Sequence, residues 1–141
     1  MEDIIIEELP DYFFPLLVQQ YIPKELEIRS FYLGGVFYNA AIISQNDKKT
    51  ICDFRNYNYE IPNRIIPVEL PVLLEQKLSN LMKILNMDTG SIDIIFYKNE
   101  YYFLEINPVG QFDMISYPCN YQLDRHIAKF LITKDEEYKK K

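Results

Sequence analysis

Histidine and cysteine are scarce: the 141 residues hold one histidine, His126, and two cysteines, Cys52 and Cys119. The cysteines stand far apart with no Cys-x-x-Cys or Cys/His spacing, which argues against a zinc site. His126 falls in a helix-like segment, where a solvated or capped imidazole is expected, so Ser-His and Cys-His catalysis are also disfavoured. An excess of positive charge is missing as well. Fifteen basic against twenty-one acidic side chains give a net charge of -6. That balance disfavours generic attraction to nucleic acid or anionic lipid, so any phosphate must be met by a local site. Charges interrupt every apolar run, and the start, Met1 to Ile6, lacks the basic and apolar regions of a signal peptide. These absences predict a soluble, cytoplasmic protein with no membrane or nucleic-acid partner, whose chemistry runs on carboxylates, arginines and amides.

What is present suits one globular domain: 48% hydrophobic and 26% charged residues. Residues 1–11 read as an N-terminal extension, 12–132 as the folded body and 133–141 as a frayed, lysine-rich tail. The apolar stretch Leu16 to Ile22, ended by Pro23, predicts a buried strand. Leu26 to Leu33 and Val36 to Ser44 are β-rich runs around Gly34-Gly35, two glycines that can supply the positive φ angles of a tight hairpin turn. Gln45 to Pro71 is polar, aromatic and proline-bearing, and predicts a long loop with one short strand around Thr50 to Phe54. From Pro71, the leucines Leu70, Leu73, Leu74, Leu78, Leu81 and Leu85 recur at helical steps and predict a helix ending near Asn86. Ser91 to Tyr97 and Tyr101 to Asn107 predict a second hairpin. Asn120 can cap a final helix with Leu123, Ile127, Phe130 and Leu131 on one face. The resulting fold class is α+β, an antiparallel sheet with two main helices, both expected on one side.

The second hairpin carries the sharpest chemical clue. With Lys98, Asn99 and Glu100 as a three-residue loop, Tyr97 faces Tyr101, Ile95 faces Phe103, and Asp93 faces Glu105. Two carboxylates then oppose each other with Cβ atoms roughly 5 Å apart, where like charges destabilise a sheet, and Asn107 follows on the same face. A bound cation would resolve the repulsion. Two carboxylates and an amide carbonyl are hard oxygen ligands suited to magnesium; two solvated acids at a hairpin end remain the plainer alternative.

Glu105-Ile106-Asn107-Pro108 resembles the ending of the metal-binding hairpin in ATP-grasp ligases, and Asp93 fits the upstream acid of that superfamily. Phe103 to Gln111 is similar to the peptide-modifying branch, the microviridin-type and grasp-with-spasm ligases. Gln19-Gln20-Tyr21-Ile22-Pro23-Lys24 resembles the hinge strand that holds adenine, and Leu26-Glu27-Ile28-Arg29 resembles the strand after it. Asp53-Phe54-Arg55-Asn56-Tyr57 looks like the nearby arginine segment, and Pro118-Cys119-Asn120-Tyr121 like the entry to the last helix. The resemblance covers about residues 12 to 132, in family order.

That resemblance implies ATP and Mg2+ as cofactors and a ribosomal precursor peptide as partner. Asp93, Glu105 and Asn107 would hold the metal. Backbone edges at Gln20 and Ile22 would meet adenine, Tyr21 would add apolar contact, and Glu27 would accept from ribose hydroxyls. The family usually has an acid where Gln20 stands. Arg29 and Arg55 would bind the triphosphate or an acyl phosphate, or else pair with Glu27 or Asp53; across the first hairpin Arg29 should face Ala40. Gly110 and Gln111 would shape the turn above the nucleotide. The implied reaction is ATP-dependent activation of a peptide carboxylate to form an ester or amide. The family's phosphate-covering N-terminal lobe has no counterpart before residue 12. The chain is therefore expected to be a C-terminal part with little turnover alone, completed by a missing lobe or self-association. Its alternatives are a non-catalytic nucleotide- or metal-binding remnant and one half of a split enzyme.

Overall fold

The computed structural model describes residues 5, 8–12, 14–15, 19–51, 54–56 and 58–140. Five antiparallel strands form one sheet in the order β3-β2-β1-β4-β5. The strands are β1 (Leu26–Leu33), β2 (Val36–Ile43), β3 (Arg64–Pro67), β4 (Thr89–Tyr97) and β5 (Glu100–Asn107), and the helices are α1 (Val72–Ile84), α2 (Asp113–Ser116) and α3 (Leu123–Lys139).

The β1–β2 hairpin closes as the sequence predicts. Gly34 and Gly35 both adopt positive φ, at 55° and 100°, and Leu33 pairs with Val36, so Arg29 lies opposite Ala40. A two-residue turn with both positions left-handed matches the twist of its strands, and glycine enters it without steric cost.

The β4–β5 hairpin reaches its expected pairing by another route. Its loop has two residues, Lys98 and Asn99, both left-handed, so Tyr97 pairs with Glu100, Phe96 with Tyr101 and Ile94 with Phe103, one residue away from the expected register. An irregularity between Asp93 and Ile94 leaves Leu104 as an extra residue on β5. The shift restores Asp93 opposite Glu105, Ile92 opposite Ile106 and Ser91 opposite Asn107. Such a bulge places two residues of one strand against one of its partner and bends the bulged strand.

The alternation of faces divides the core in two. Ile28, Tyr32, Ile92 and Ile94 pack with Leu70, Leu78 and Met82 of the α1 side. Phe31, Leu33 and Ala40 pack with Ile115 of α2 and Leu123 of α3. The main helices therefore cover opposite faces, a correction to the one-sided expectation. A sheet covered on both faces buries successive positions of its strands, as the uninterrupted buried run from Glu27 to Leu33 displays, and here that run takes in the polar Glu27, Arg29 and Ser30 as well. Asn39 links both layers: its side-chain amide donates to Glu75 of α1 at 2.9 Å, and its carbonyl accepts from the Tyr121 hydroxyl at 2.5 Å.

Other expectations need correction in detail. Gln19 to Ile22 is irregular and carries no strand, while Leu16 to Val18 lie outside the described residues. The loop's strand is Arg64–Pro67, not Thr50 to Phe54; Thr50, Ile51 and Phe54 sit in turns, and Cys52, Asp53 and Tyr57 lie outside the described residues. In α1 the buried positions are Leu78 and Met82, whereas Leu73 and Leu85 are exposed. Asn120 does not cap α3. Gln122 occupies that place in a left-handed conformation, and the Leu123 amide donates to the Ser116 hydroxyl at 3.0 Å instead. Leu131 is exposed, and the segment expected to fray continues α3 to Lys139. Among the described residues no helix is long and apolar enough to cross a membrane.

Candidate functional site

Three adjacent strands bring the chemistry together. In the β1–β4 register Arg29 lies opposite Asp93, and in the β4–β5 register Asp93 lies opposite Glu105, so the three side chains form a row across one sheet face. Asn107 stands two residues beyond Glu105 on that face. Arg55 reaches the row from the 44–63 loop, and Val109, Gln111 and Met114 complete the lining of a cavity of about 390 Å³.

The two acids stand side by side in the row with an arginine at each end. Arg29 Nη1 is 3.5 Å from Asp93 Oδ1, and Arg55 Nη1 is 3.9 Å from Glu105 Oε1. Arg29 and Asp93 are 7% and 9% exposed, so their pairing operates in a poorly hydrated setting, whereas the Arg55–Glu105 pair is open to solvent. Open ion pairs contribute little, and buried ones are sensitive to the loss of either partner.

Burial raises the Asp93 carboxyl above its ordinary value of 3.8; Arg29 and Arg55 oppose the rise, and Glu105 and Glu27 add to it. A carboxyl raised in the folded state binds protons more readily there than in the unfolded chain. Its contribution to stability is therefore full below the ordinary value and declines as pH rises through the raised one. Glu105→Gln removes one raising charge. Asp93, followed by side-chain carboxyl NMR, is expected to titrate at lower pH in this variant; an unchanged midpoint would show that the two acids do not interact.

The turn after β5 is set by close packing. Asn107 Oδ1 accepts from the Val109 amide at 3.0 Å, and the Asn107 carbonyl accepts from the Gly110 amide at 3.1 Å. Gly110 is buried against Ser91, the cross-strand partner of Asn107; an added Cβ would overlap Ser91 Cβ and Oγ and lie 2.9 Å from Ser91 N. Close approach, rather than a positive φ, is why glycine stands there.

No family model matches the chain, and no curated protein matches it. Solved structures do match. A RiPP-associated ATP-grasp ligase of Chryseobacterium gregarium, in complex with ADP and a leader and core peptide, is 35% identical. That match covers 64% of this chain and 28% of the ligase, with a TM-score of 0.61. The macrocyclase MdnC of Microcystis aeruginosa, bound with precursor peptide MdnA, is 34% identical, covering 79% of this chain and 31% of its own, with a TM-score of 0.64. MdnB of the same organism is 28% identical, covering 81% and 38%, with a TM-score of 0.58. This chain matches a C-terminal part of the peptide-modifying ATP-grasp ligases. It spans less than two fifths of the length of these three relatives.

Against the ATP-grasp expectation, the structure gathers Arg29, Arg55, Asp93, Glu105 and Asn107 into one cavity, with Gln111 at its wall. Gln20, Tyr21 and Ile22 precede β1 in an irregular segment and do not line that cavity; Gln20 and Tyr21 are exposed. Glu27 shares the face of Arg29, yet its Oε1 is engaged by Lys24 and accepts from the Ser44 hydroxyl at 3.1 Å. The acids fit a hard divalent cation in donor chemistry. Asp93 Oδ1 is buried and makes no hydrogen bond among the described residues, its nearest charge being the Arg29 guanidinium at 3.5 Å, and it stands beside a second carboxylate. Among the described residues no three His, Cys, Asp or Glu side chains cluster, so a cation there would draw on Asn107 and outside ligands as well. Sequence reasoning missed Val109 and Met114 in the lining and Lys24 beside Glu27. The three-residue spacing of Lys24 and Glu27 was a usable signal only for the second pairing.

Proposed function

We propose that this chain supplies the nucleotide- and magnesium-binding face of an ATP-grasp ligase that activates a carboxylate of a ribosomal peptide as an acyl phosphate and joins it to a hydroxyl or amine. The observation that carries the reading is the row Arg29, Asp93, Glu105, Arg55 in one cavity. Its support from kinship is the 34–35% identity to ligases described with ADP or with precursor peptides.

Asp93, Glu105 and the side-chain amide oxygen of Asn107 would hold the metal. Bound magnesium supplies neutralisation of phosphate charge and alignment of in-line transfer. With both acids so engaged, Arg29 and Arg55 turn their guanidinium donors toward phosphate oxygens, for which a planar fork is suited. The cavity contains equal numbers of acidic and basic side chains, so its lining carries no net charge of its own. Gln20, Tyr21, Ile22 and Glu27 would meet the adenosine end. In the reaction a substrate carboxylate oxygen attacks the terminal phosphorus as ADP leaves. The hydroxyl or amine then attacks the acyl carbon, phosphate departs, and the nucleophile loses its proton.

Calorimetric titration of the chain with ATP, with and without magnesium, tests this directly. The reading expects magnesium to strengthen ATP binding. ATP heats that are the same in chelator and in magnesium, or absent from both, would overturn it.

A further inference from the structure

Two of the side chains lining the cavity are polar and uncharged, Asn107 and Gln111. Asn107 is held by the turn that follows it. The Val109 amide donates to Asn107 Oδ1 at 3.0 Å, and the Gly110 amide donates to the Asn107 carbonyl at 3.1 Å. Pro108 between them has a locked φ and keeps the residue before it extended, as befits the last position of β5. Val109 is 89% exposed, so what it gives the turn is its amide rather than its side chain. Gly110 is packed on Ser91, which anchors the far end.

The bond from Val109 decides which end of the Asn107 side chain is which. A backbone N–H is accepted by oxygen and not by the side chain's NH2 group, so Oδ1 lies on the turn side with a second lone pair unspent. Nδ2 is the other branch of the side chain. Among the described residues nothing accepts a hydrogen bond from it.

An aspartate at position 107 would perform most of this residue's duties. Its carboxylate would accept the Val109 amide equally well and would hold a hard divalent cation more strongly, because cation affinity follows the charge of the ligand set. Two differences remain. The amide adds no third negative charge beside Asp93 and Glu105, and it offers two N–H donors where an ionised carboxylate offers none. Both differences act on an anion, and neither favours a bare cation. The residue present therefore suits a cation that arrives already bound to phosphate oxygens.

We propose that Asn107 is a specificity-determining residue: pinned by the Val109 amide, it offers Oδ1 to the divalent cation and Nδ2 to an oxygen of the phosphate chain that carries it, and so selects the cation with its phosphates over the cation alone. The inference rests on the reading of Asp93 and Glu105 as the cation site, and it deepens that reading by assigning a phosphate contact to the third ligand.

Calorimetric titration of the parent and Asn107→Asp, first with magnesium chloride alone and then with ATP in excess magnesium, reads the selection directly. The variant should bind magnesium alone about tenfold more tightly, the effect of one added anionic ligand, and ATP with magnesium about tenfold more weakly, a charge-assisted donor having become a repelling charge. ATP bound by the variant as tightly as by the parent, or affinity lost for both ligands, overturns the proposal. A second measurement needs no variant and decides the case if Asn107→Asp fails to fold. The NMR signals of the Asn107 side-chain NH2, assigned through their own Cβ, should shift when ATP or inorganic tripolyphosphate is added in magnesium, and their protons should exchange more slowly. Magnesium chloride alone, or adenosine, should not slow that exchange. Binding of ATP in magnesium with these signals unmoved overturns the role of Asn107 and leaves the cation site standing. Failure of the parent to bind ATP in magnesium overturns both readings together.

Discussion

Arg29→Met is expected to lower stability by about 3–5 kcal/mol at neutral pH, the usual cost of stranding a buried charge. Arg29 and Asp93 lie opposite each other on neighbouring strands, and their side chains are 8% and 12% exposed. Methionine keeps the stem's packing and deletes the guanidinium, so Asp93 loses the chief opposition to the rise imposed by its burial. The carboxyl should then titrate higher still. The folded variant binds a proton that the unfolded chain releases, and its deficit should shrink as pH falls toward the ordinary carboxyl value. Adding Asp93→Asn should recover much of the loss, because a neutral amide does not need the missing cation. Urea unfolding at neutral and mildly acidic pH checks all three statements. A change under about 0.5 kcal/mol, the range of ordinary surface substitutions, would show that the pair is not buried in the way described.

Gly110→Ala should be the second most damaging change, at about 1–3 kcal/mol, the range for overpacking. The methyl overlaps Ser91 on the next strand and also approaches its backbone nitrogen at 2.9 Å, which cannot rotate away. Relief requires the turn to lift. That movement draws on the two hydrogen bonds through which Asn107 closes onto Val109 and Gly110. Amide shifts at Asn107 and Val109 should accompany the lost stability, and cation-dependent nucleotide binding should weaken with them. Ser91→Gly in the same chain removes the Cβ and Oγ overlaps and should restore part of both losses. The backbone contact stays, and glycine within a strand has its own cost of about 0.5–1 kcal/mol. Amide shifts confined to residues remote from the turn would contradict this account of why glycine stands there.

The placement of the candidate side chains was legible in part, as was the fold, for identifiable reasons. Asp93 and Glu105 oppose each other in the expected register because two departures from it cancel: the loop is one residue shorter, and the bulge at Leu104 adds one residue back, whereas a one-residue slip alone would put the acids on opposite faces. Lys98 and Asn99 take left-handed conformations that glycine would have signalled and lysine does not, and the bulge at Leu104 depends on packing around the strand rather than on its own residues. In α1 the period was right and the face was right in part: Leu70, Leu74 and Leu78 join the core, whereas Leu73 and Leu85 are exposed, and a stripe built from leucines passes over the fully buried Met82. The β3 strand hid in a proline-bearing stretch because Pro67 is admissible only at a sheet edge, and edge position is a tertiary fact. Opposite placement of the helices, and the tie from Lys24 to Thr50 across twenty-six residues, likewise have no local signature.

The central claim, that Asp93 and Glu105 form a cation site for a nucleotide's phosphates, is tested most directly by thermal unfolding of the parent and Glu105→Gln, each with and without ATP and magnesium. Glutamine keeps the shape of Glu105 and removes one anionic ligand together with its repulsion of Asp93. The account predicts that the variant without ligand is as stable as the parent or more so, because the solvent-exposed contact with Arg55 contributes little. It further predicts that magnesium-ATP raises the parent's unfolding temperature and raises the variant's by much less. An equal rise in both proteins would contradict the metal-ligand role of Glu105 and, with it, the claim.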